Sequence, residues 1–340
     1  MNATEPGLRD APEATVAVAG RPQSMPRGQR RPALAGVAGM RRGLQGRVAL
    51  AAVAAAGTVA AAGCRQGEPP GELLAFMSSH ENPWRISVVA PDGSGRRALT
   101  DWKRRDGDPQ WSPDGKRLAF VAEERAVTDL FVVALEGGKP QALTGRERVD
   151  RWPDWSPDGS RIVITSGVDN EWDLFVVDAA TGEASQVTDT PEVNEGLPAW
   201  SPDGALIVFV EDPEGSVDLG LVAPDGSGRV ALTRGPGDDT RPEWSPDGTA
   251  IAFVSNRAAP AGQDVFVMQV DGGGLVNVSG TLAVDDGPSW SPNSARLAFH
   301  STRDGNGEIY VVDRDGGNLT RLTTDPADDV APSWWLTSSG

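Results

Sequence analysis

The sequence is poor in the two side chains that most often build metal centres and catalytic sites. Its 340 residues include one cysteine, Cys64, and two histidines, His80 and His300. A single sulfur excludes a disulfide scaffold and a zinc cluster of thiolates, because both need several cysteines. Two histidines leave little room for imidazole catalysis, and we interpret each as an isolated structural or surface residue.

Positive charge is scarce as well. The chain has 31 Lys and Arg against 48 Asp and Glu, a formal net charge of −17. Nucleic acids are bound by basic patches, so the sequence predicts no nucleic-acid partner. Glycine and proline are plentiful instead, at 41 and 27 residues without a short period. This composition favours many turns and short strands over long helices or a collagen-like chain.

The first part of the chain differs in composition from the rest. Residues 1–39 are rich in Ala, Pro, Gly and Arg and contain few large apolar side chains. Burial of so little apolar surface does not offset the entropy lost on ordering. We predict that residues 1–39 are disordered, or that translation begins at Met40 and they are never made.

Residues 40–63 have the layout of a signal peptide. Arg41 and Arg42 precede an apolar run over 48–62 that is short for a membrane span. The final A-A-G-C, ending at Cys64, resembles the lipobox of bacterial lipoproteins. This resemblance implies lipidation at Cys64 and attachment to the envelope through the lipid alone, with residues 64–71 as a tether. Export follows the general route or, as Arg41 and Arg42 permit, the twin-arginine route. The alternative is an incidental thiol at Cys64.

Beyond residue 71 the chain repeats itself every 44 to 46 residues. The tripeptide W-S-P begins at Trp111, Trp155, Trp200, Trp244 and Trp290, with a broken copy at Trp334. Apolar and β-branched runs follow in step from Leu73, Arg117, Arg161, Leu206, Ala250 and Arg296. A third run follows each of these after a loop, and a fourth ends at a Leu-Thr-like pair. Four short strands in such a period are typical of a propeller blade.

The W-S-P-D-G segments predict the turn that ends each first strand. Proline presets φ for a type I turn, and Gly115, Gly159, Gly204 or Gly248 takes the corner where φ is positive. The fifth copy has Ser294 at this corner, so a non-glycine residue is expected to adopt that conformation under strain. The tryptophans, one in each repeat, are predicted to pack between neighbouring blades.

The two ends of the repeat region complement each other. The first repeat begins at its second strand, and the last repeat stops just after its first. We therefore predict an all-β, six-bladed propeller of four-stranded antiparallel blades over residues 72–336. The strand around 333–336 closes the ring by pairing with the N-terminal blade, and 337–340 form a tail. Closure removes the free sheet edges that invite aggregation.

These motifs together carry a family resemblance. W-S-P-D-G followed by R-L-A-F, D-L-F-V-V and L-T resembles the TolB-like β-propeller, or WD40-like PD40, repeat over residues 72–336. TolB itself carries a further N-terminal α/β domain that this sequence does not show. The resemblance implies a binding module of the bacterial envelope. The same repeat also occurs in peptidases and in a lyase.

One acidic residue recurs five residues before each tryptophan. The six candidate ligand-binding residues are Asp106, Asp150, Glu195, Asp239, Asp285 and Asp329. The propeller places them as a ring at one mouth of a central channel, where they could attract a basic peptide or hold calcium; no other cofactor is expected. A second acidic column begins the third strands at Asp129, Asp173, Asp218, Asp264 and Glu308. The alternative is that both columns cap strand backbone.

The sequence favours a binding protein over an enzyme. It has no G-x-S-x-G motif, and two histidines are few for a metal-dependent lyase. The calcium-like spacing over 313–318 is better explained as a hairpin turn. We therefore expect a monomeric, lipid-anchored scaffold without catalytic residues that binds an envelope protein or basic peptide. The alternative is an enzyme or sensor acting on a cell-wall or carbohydrate ligand.

Overall fold

The structure, a computed structural model of the chain, describes residues 74–78, 85–89, 97–100, 104–124, 127–145, 147–168, 171–213, 216–258, 262–280, 283–324, 329 and 332. These residues form 23 β-strands and no helix. Accordingly, no described segment is a helix with the length and apolar character needed to cross a membrane. The predicted signal peptide, Cys64, the tether and His80 lie outside the described residues.

The strands form six antiparallel sheets, each from one repeat. The first sheet contains β1 (Leu74–Ser78), β2 (Arg85–Val89) and β3 (Arg97–Ala98). The second and third contain β4 (Arg105–Trp111), β5 (Arg117–Glu124), β6 (Val127–Ala134) and β7 (Gln141–Ala142), then β8 (Val149–Trp155), β9 (Arg161–Val168), β10 (Glu171–Asp178) and β11 (Ala184–Gln186). The fourth and fifth contain β12 (Glu195–Trp200), β13 (Ile207–Glu211), β14 (Asp218–Val222) and β15 (Val230–Ala231), then β16 (Asp239–Trp244), β17 (Ala250–Ser255), β18 (Asp264–Gln269) and β19 (Val276–Asn277). The sixth contains β20 (Asp285–Trp290), β21 (Arg296–Ser301), β22 (Glu308–Asp313) and β23 (Thr320–Arg321).

This arrangement confirms the predicted six-bladed propeller of all-β type. Strands pair in chain order within each sheet, and the first strands β4, β8, β12, β16 and β20 contact one another in succession. We therefore call them the innermost strands. The first sheet shows three strands, and the segment predicted to supply its fourth, around Trp334, lies outside the described residues. Closure of the ring stays a prediction.

The predicted turns are confirmed in detail. The N–H of Gly115 donates to the Ser112 carbonyl at 2.8 Å, and the other W-S-P turns repeat this bond. The four turn glycines have φ between 66° and 71°. Ser294 takes the same corner at φ 59°, as expected for the copy that lacks glycine. The segment 313–318 also forms a hairpin turn, because Asp313 N–H donates to Gly317 O at 2.9 Å.

The core lies between blades. Phe120, Phe209, Phe253 and Phe299 of the second strands are fully buried. The tryptophans that end β8, β12, β16 and β20 are 3 to 7% exposed. The Trp155 indole N–H donates to Gln110 O of the preceding blade at 3.2 Å, and Trp244 and Trp290 make the corresponding bond, so these three rings add a directional bond to their apolar contacts. The prediction that these rings pack between blades is confirmed.

Every innermost strand also carries a bulge that sequence reasoning missed. The pairing register breaks at a proline three residues after the first-column acid, since proline has no N–H to donate. The residue before each proline has φ between 48° and 64°; these are Asp108, Trp152, Leu197, Arg241 and Gly287. A residue before proline is normally extended, so four non-glycine residues here store strain. The recurring acid-x-x-Pro spacing in the sequence could have indicated these bulges.

Candidate functional site

The six predicted carboxylates come to the same end of their blades. The first five stand at the first or second residue of an innermost strand. Asp329, the sixth, donates its N–H to Gly307 O at 2.7 Å. All six are buried, with exposures of 0 to 4%. We call this end, defined by Asp106, Asp150, Glu195, Asp239, Asp285 and Asp329, the mouth face.

A hydroxyl column lies directly against these carboxylates. It consists of Thr100, Thr144, Thr188, Thr233, Ser279 and Thr323, the second residue of each Leu-Thr-like pair. Each hydroxyl oxygen accepts a hydrogen bond from a backbone N–H at the start of a third strand, at 2.8 to 3.0 Å. Thr100 and Thr144 then donate to Asp106 and Asp150, and Thr323 donates to Glu308 at 2.6 Å. The repeat therefore builds a buried polar network that ties together strands of each blade.

Arginines pair with several of these carboxylates. Arg229 pairs with Glu195 at 2.8 Å and Arg303 with Asp285 at 3.2 Å, while Arg257 pairs with Asp239. In the second column, Arg321 pairs with Glu308 at 2.7 Å and Arg148 approaches Asp173 to 3.8 Å. The five arginine side chains are 15 to 36% exposed, so they lie between the buried carboxylates and solvent.

Burial also changes the acidity of the mouth carboxyls. It raises the pKa of Asp150 to about 6, although hydrogen bonds from Thr144 and Ser166 act in the opposite direction. It raises the pKa of Glu195 to about 7 against the attraction of Arg229. The pKa of Asp239 is raised for the same reason. The protonated form of these groups is favoured by the protein interior.

The structure buries all six carboxylates of the predicted ring. Asp106 and Asp150 accept hydrogen bonds from hydroxyls, while Glu195, Asp239 and Asp285 pair with guanidinium groups. Both columns take part in the same network, since Thr233 donates to Asp218 at 3.3 Å and Ser279 to Asp264 at 3.4 Å. A ligand would meet the arginines and the exposed loop acids first. Direct ligand binding by the six carboxylates stays a prediction.

The remaining histidine that the structure describes is also buried. His300 lies on β21 opposite Asp286, which pairs with Arg241 at 2.9 Å. Burial lowers the pKa of His300, and the positive charge of Arg241 acts in the same direction. Among the described residues, no three Cys, His, Asp or Glu side chains are grouped closely enough to hold a metal ion.

Comparison with known proteins places the fold. The family model of the TolB beta propeller domain, PD40, matches residues 66–195 and 168–282, more than half of the chain. The chain belongs to the TolB beta propeller family. No curated protein sequence matches it.

Solved TolB-type propellers share this architecture at low sequence identity. TolB from Acinetobacter baumannii is 20% identical with a TM-score of 0.60, over 77% of this chain and 66% of that one. The putative TolB from Agrobacterium tumefaciens is 24% identical with a TM-score of 0.56, over 67% and 84%. An oligogalacturonate lyase in complex with manganese is 18% identical with a TM-score of 0.62, over 74% and 73%. The chain spans about two thirds of the Acinetobacter TolB, and these similarities show the fold alone.

Two carboxyls of this TolB-type propeller went unnoticed in the sequence. Asp154 and Glu243 stand one residue before a tryptophan on β8 and β16. Asp154 accepts a hydrogen bond from the backbone N–H of Trp200 at 2.8 Å, and Glu243 accepts one from the backbone N–H of Trp290 at 3.1 Å. Each carboxyl therefore bridges to the next innermost strand. Burial raises the pKa of Asp154 to about 6; burial, with the nearby charge of Asp154, raises that of Glu243 to about 8. In the other described blades this position is occupied by Gln110, Ala199 and Ser289. Because the carboxyl does not recur with the repeat, the sequence pattern did not indicate it.

The opposite end of the TolB-type propeller carries exposed carboxylates. We call it the turn face, defined by Asp114, Asp158, Asp203 and Asp247 of the P-D-G turns. Each aspartate accepts a hydrogen bond from the turn serine hydroxyl at 2.6 Å and one from a backbone N–H two residues on. These bonds lower the pKa of Asp114 and Asp203 and bring that of Asp158 to about 2. The turn face is therefore ionised and open to solvent.

Proposed function

We propose that this chain is a lipid-anchored binding protein of the bacterial envelope, which acts as a scaffold without chemistry and holds a protein or basic peptide partner on its mouth face. The TolB beta propeller family supports a binding or scaffold role. The lipid anchor rests on the A-A-G-C sequence ending at Cys64. The exported location rests on the signal-like segment before it.

The observation that carries the proposal is a charged groove on the mouth face. A cavity of about 420 Å³ is lined by Thr190, Val193, Glu211, Pro213 and Arg229, among others. Arg229 pairs with both Glu195 and Glu211 and stacks over Phe209 at 5.3 Å, so the floor of the groove is rigid. A rigid charged surface binds a partner with little loss of conformational entropy.

Exposed acids around this groove favour a basic partner. Loops of the mouth face expose six acids against two exposed arginines, Arg105 and Arg234, among the residues that the structure describes. The acids are Glu147, Glu171, Asp189, Glu192, Asp238 and Asp304. Their surplus gives a negative potential that attracts basic peptides and speeds association at low salt.

Affinity capture with matched variants tests the proposal. The full chain serves as bait in envelope extract, beside Glu171→Gln/Glu192→Gln on the mouth face and Glu136→Gln/Glu183→Gln on the turn side. All four glutamates are exposed, and both variants remove two negative charges. We expect the mouth variant to lose a partner that the wild type and the turn-side variant retain, and binding of the purified partner to weaken with added salt. Equal capture by all three, or loss only in the turn-side variant, would contradict the mouth-face assignment.

Lipid anchoring at Cys64 and the proposed lack of catalytic activity are tested separately. Cys64→Ala should move the chain from the membrane fraction to the soluble fraction, and unchanged fractionation would contradict lipidation. Turnover of a cell-wall or pectic oligosaccharide in a metal-supplemented assay, lost in His300→Ala, would instead support the enzyme alternative. The fold is compatible with either outcome, because an oligogalacturonate lyase shares it.

A further inference from the structure

The tryptophans that end the innermost strands are covered by arginines in three of the described blades. The guanidinium of Arg117 lies 4.7 Å from the ring centre of Trp155 in the next blade, and its Nη2 donates to Gly159 O at 2.9 Å. Arg161 covers Trp200 in the same way at 4.8 Å. Both arginines thus make a cation–π contact, and Arg117 also bonds to the P-D-G turn of the next blade.

Trp290 receives its arginine from a second position. The residue that corresponds to Arg117 is Ala250 there, and the guanidinium of Arg314, from the end of β22, lies 5.6 Å from the ring centre instead. Arg314 also pairs with Asp247 at 3.4 Å. The repeat therefore has two positions from which a guanidinium reaches this tryptophan.

Trp244 is the exception. Around Trp244, both positions that could supply a guanidinium hold apolar residues. Leu206 corresponds to Arg117, and Val270 corresponds to Arg314. Within the part of the chain that the structure describes, no guanidinium lies over Trp244. A cavity of about 340 Å³ is present at this place, lined by Pro202, Leu206, Trp244, Gly248 and Val270, among others.

The cavity retains the surroundings that hold arginine in the other blades. Its lining includes Ser201, Pro202 and Asp203 of one turn and Asp247 and Gly248 of the next. They correspond position by position to the turns around Arg117 and Trp155. The hydroxyl and backbone bonds of Asp203 keep this carboxyl ionised, since they lower its pKa. Asp203 and Asp247 thus flank a tryptophan that has no guanidinium over its ring, although Arg314 approaches Asp247 from the next blade.

We propose that this cavity over Trp244 binds an arginine side chain of a partner protein or peptide, which replaces the guanidinium that the chain supplies in its other blades. The site lies on the turn face and does not depend on the mouth-face function proposed above. Its specificity follows from the planar guanidinium, which stacks on an indole and bonds to carboxylates and carbonyls in one plane.

A capped Gly-Arg-Gly peptide tests the site on the full chain in 0.15 M salt. The reporter is the indole N–H resonance of Trp244, assigned by comparison with Trp244→Phe. We expect a saturable shift with the arginine peptide and roughly tenfold weaker binding of the isosteric, uncharged citrulline peptide. Equal affinities, or tighter binding of the corresponding lysine peptide, would overturn the guanidinium assignment.

Two substitutions separate the cavity from general attraction to an acidic protein. Leu206→Arg supplies the missing guanidinium from within, so it should abolish the peptide-induced shift and raise the melting temperature; Leu206→Met is the control that should keep both near wild type. Arg161→Leu should open a second site and make the Trp200 indole respond to the peptide. Peptide binding that persists in Leu206→Arg would overturn the proposal. So would a folded Arg161→Leu whose Trp200 resonance does not move.

Discussion

Asp150 lies at the start of β8 and Asp158 in the turn after its end, and their pKa values are shifted in opposite directions from that of a free aspartate. Burial at the mouth face raises the pKa of Asp150 to about 6. Hydrogen bonds from Ser156 and Ser160 at the exposed turn bring the pKa of Asp158 to about 2. Both aspartates recur with the repeat. The position in the fold, rather than the residue type, decides which of them carries charge at low pH.

The contrast has a plain physical cause. At the turn face, donors surround the ionised carboxylate while water still solvates it. At the mouth face, the donors are present but water is excluded, so the same hydrogen bonds only partly offset the cost of burying charge. An arginine at the mouth face offsets this cost for the carboxylate with which it pairs, as Arg303 does for Asp285. Ion pairs therefore stabilise the blades at the mouth face, and hydrogen bonds within the turns stabilise them at the turn face.

The largest expected effect comes from breaking a buried pair. Asp285→Ala removes a carboxylate with no exposed surface and leaves Arg303 with its charge partly buried. Loss of one partner of such a pair lowers the free energy of unfolding by about 3 kcal/mol. Urea denaturation measures this loss, with Glu136→Ala on the exposed turn side as the control. A loss below about 1 kcal/mol would show that the mouth pair behaves like a surface pair.

The second prediction concerns pH. The folded-state pKa of Glu243 is raised to about 8, so the folded chain holds a proton that the unfolded chain releases above its ordinary value of 4.5. The stability contribution of Glu243 therefore falls as pH rises from 4.5 to 8. Glu243→Gln cannot ionise, and it should raise the free energy of unfolding by roughly 2 kcal/mol at pH 6 and leave it nearly unchanged near pH 4.5. A difference from wild type that is constant across this range would contradict the assignment.

The turn face should show the opposite pH dependence. Asp158→Ala removes bonds from Ser156 and Ser160 and should lower the free energy of unfolding by about 1 kcal/mol at neutral pH. Because the pKa of Asp158 is lowered to about 2, its contribution is present above the ordinary value of 3.8 and is lost as pH falls to 2. Melting curves of the two proteins should therefore converge in acid. Curves that diverge in acid would place Asp158 in an environment like that of Asp150.

The smallest expected effect lies at the turn without glycine. Ser294→Gly relieves a positive φ of 59° but removes the hydroxyl that accepts a hydrogen bond from Asp247 N–H at 2.9 Å. Strain relief and hydrogen-bond loss are each worth about 1 kcal/mol, so the net change should stay below about 0.5 kcal/mol. Chemical denaturation measures the balance. A gain or loss above about 1 kcal/mol would show that one of the two contributions dominates.

Much of the fold was predictable because the repeat is explicit. The W-S-P-D-G turns, the positive φ at Ser294 and the buried tryptophans all follow from local residue chemistry that recurs in register. The bulge at Asp108 and its counterparts was missed, although a proline marks each one. The partners of the acidic column were not predictable in the same way. Asp285 begins β20 and Arg303 lies in the turn after β21, and only pairing of β20 with β21 brings them together.

The sequence by itself determined the number of blades, their strand order and the turn chemistry, because these depend on interactions within one repeat. It also determined that six acids share one face, since their spacing matches the repeat. Only the tertiary structure decided that these acids are buried against threonines and arginines, that Asp154 and Glu243 bridge neighbouring innermost strands, and that Trp244 lacks the arginine found over Trp155 and Trp200. Burial and contacts between blades depend on side chains from separate repeats, and no single repeat contains that information.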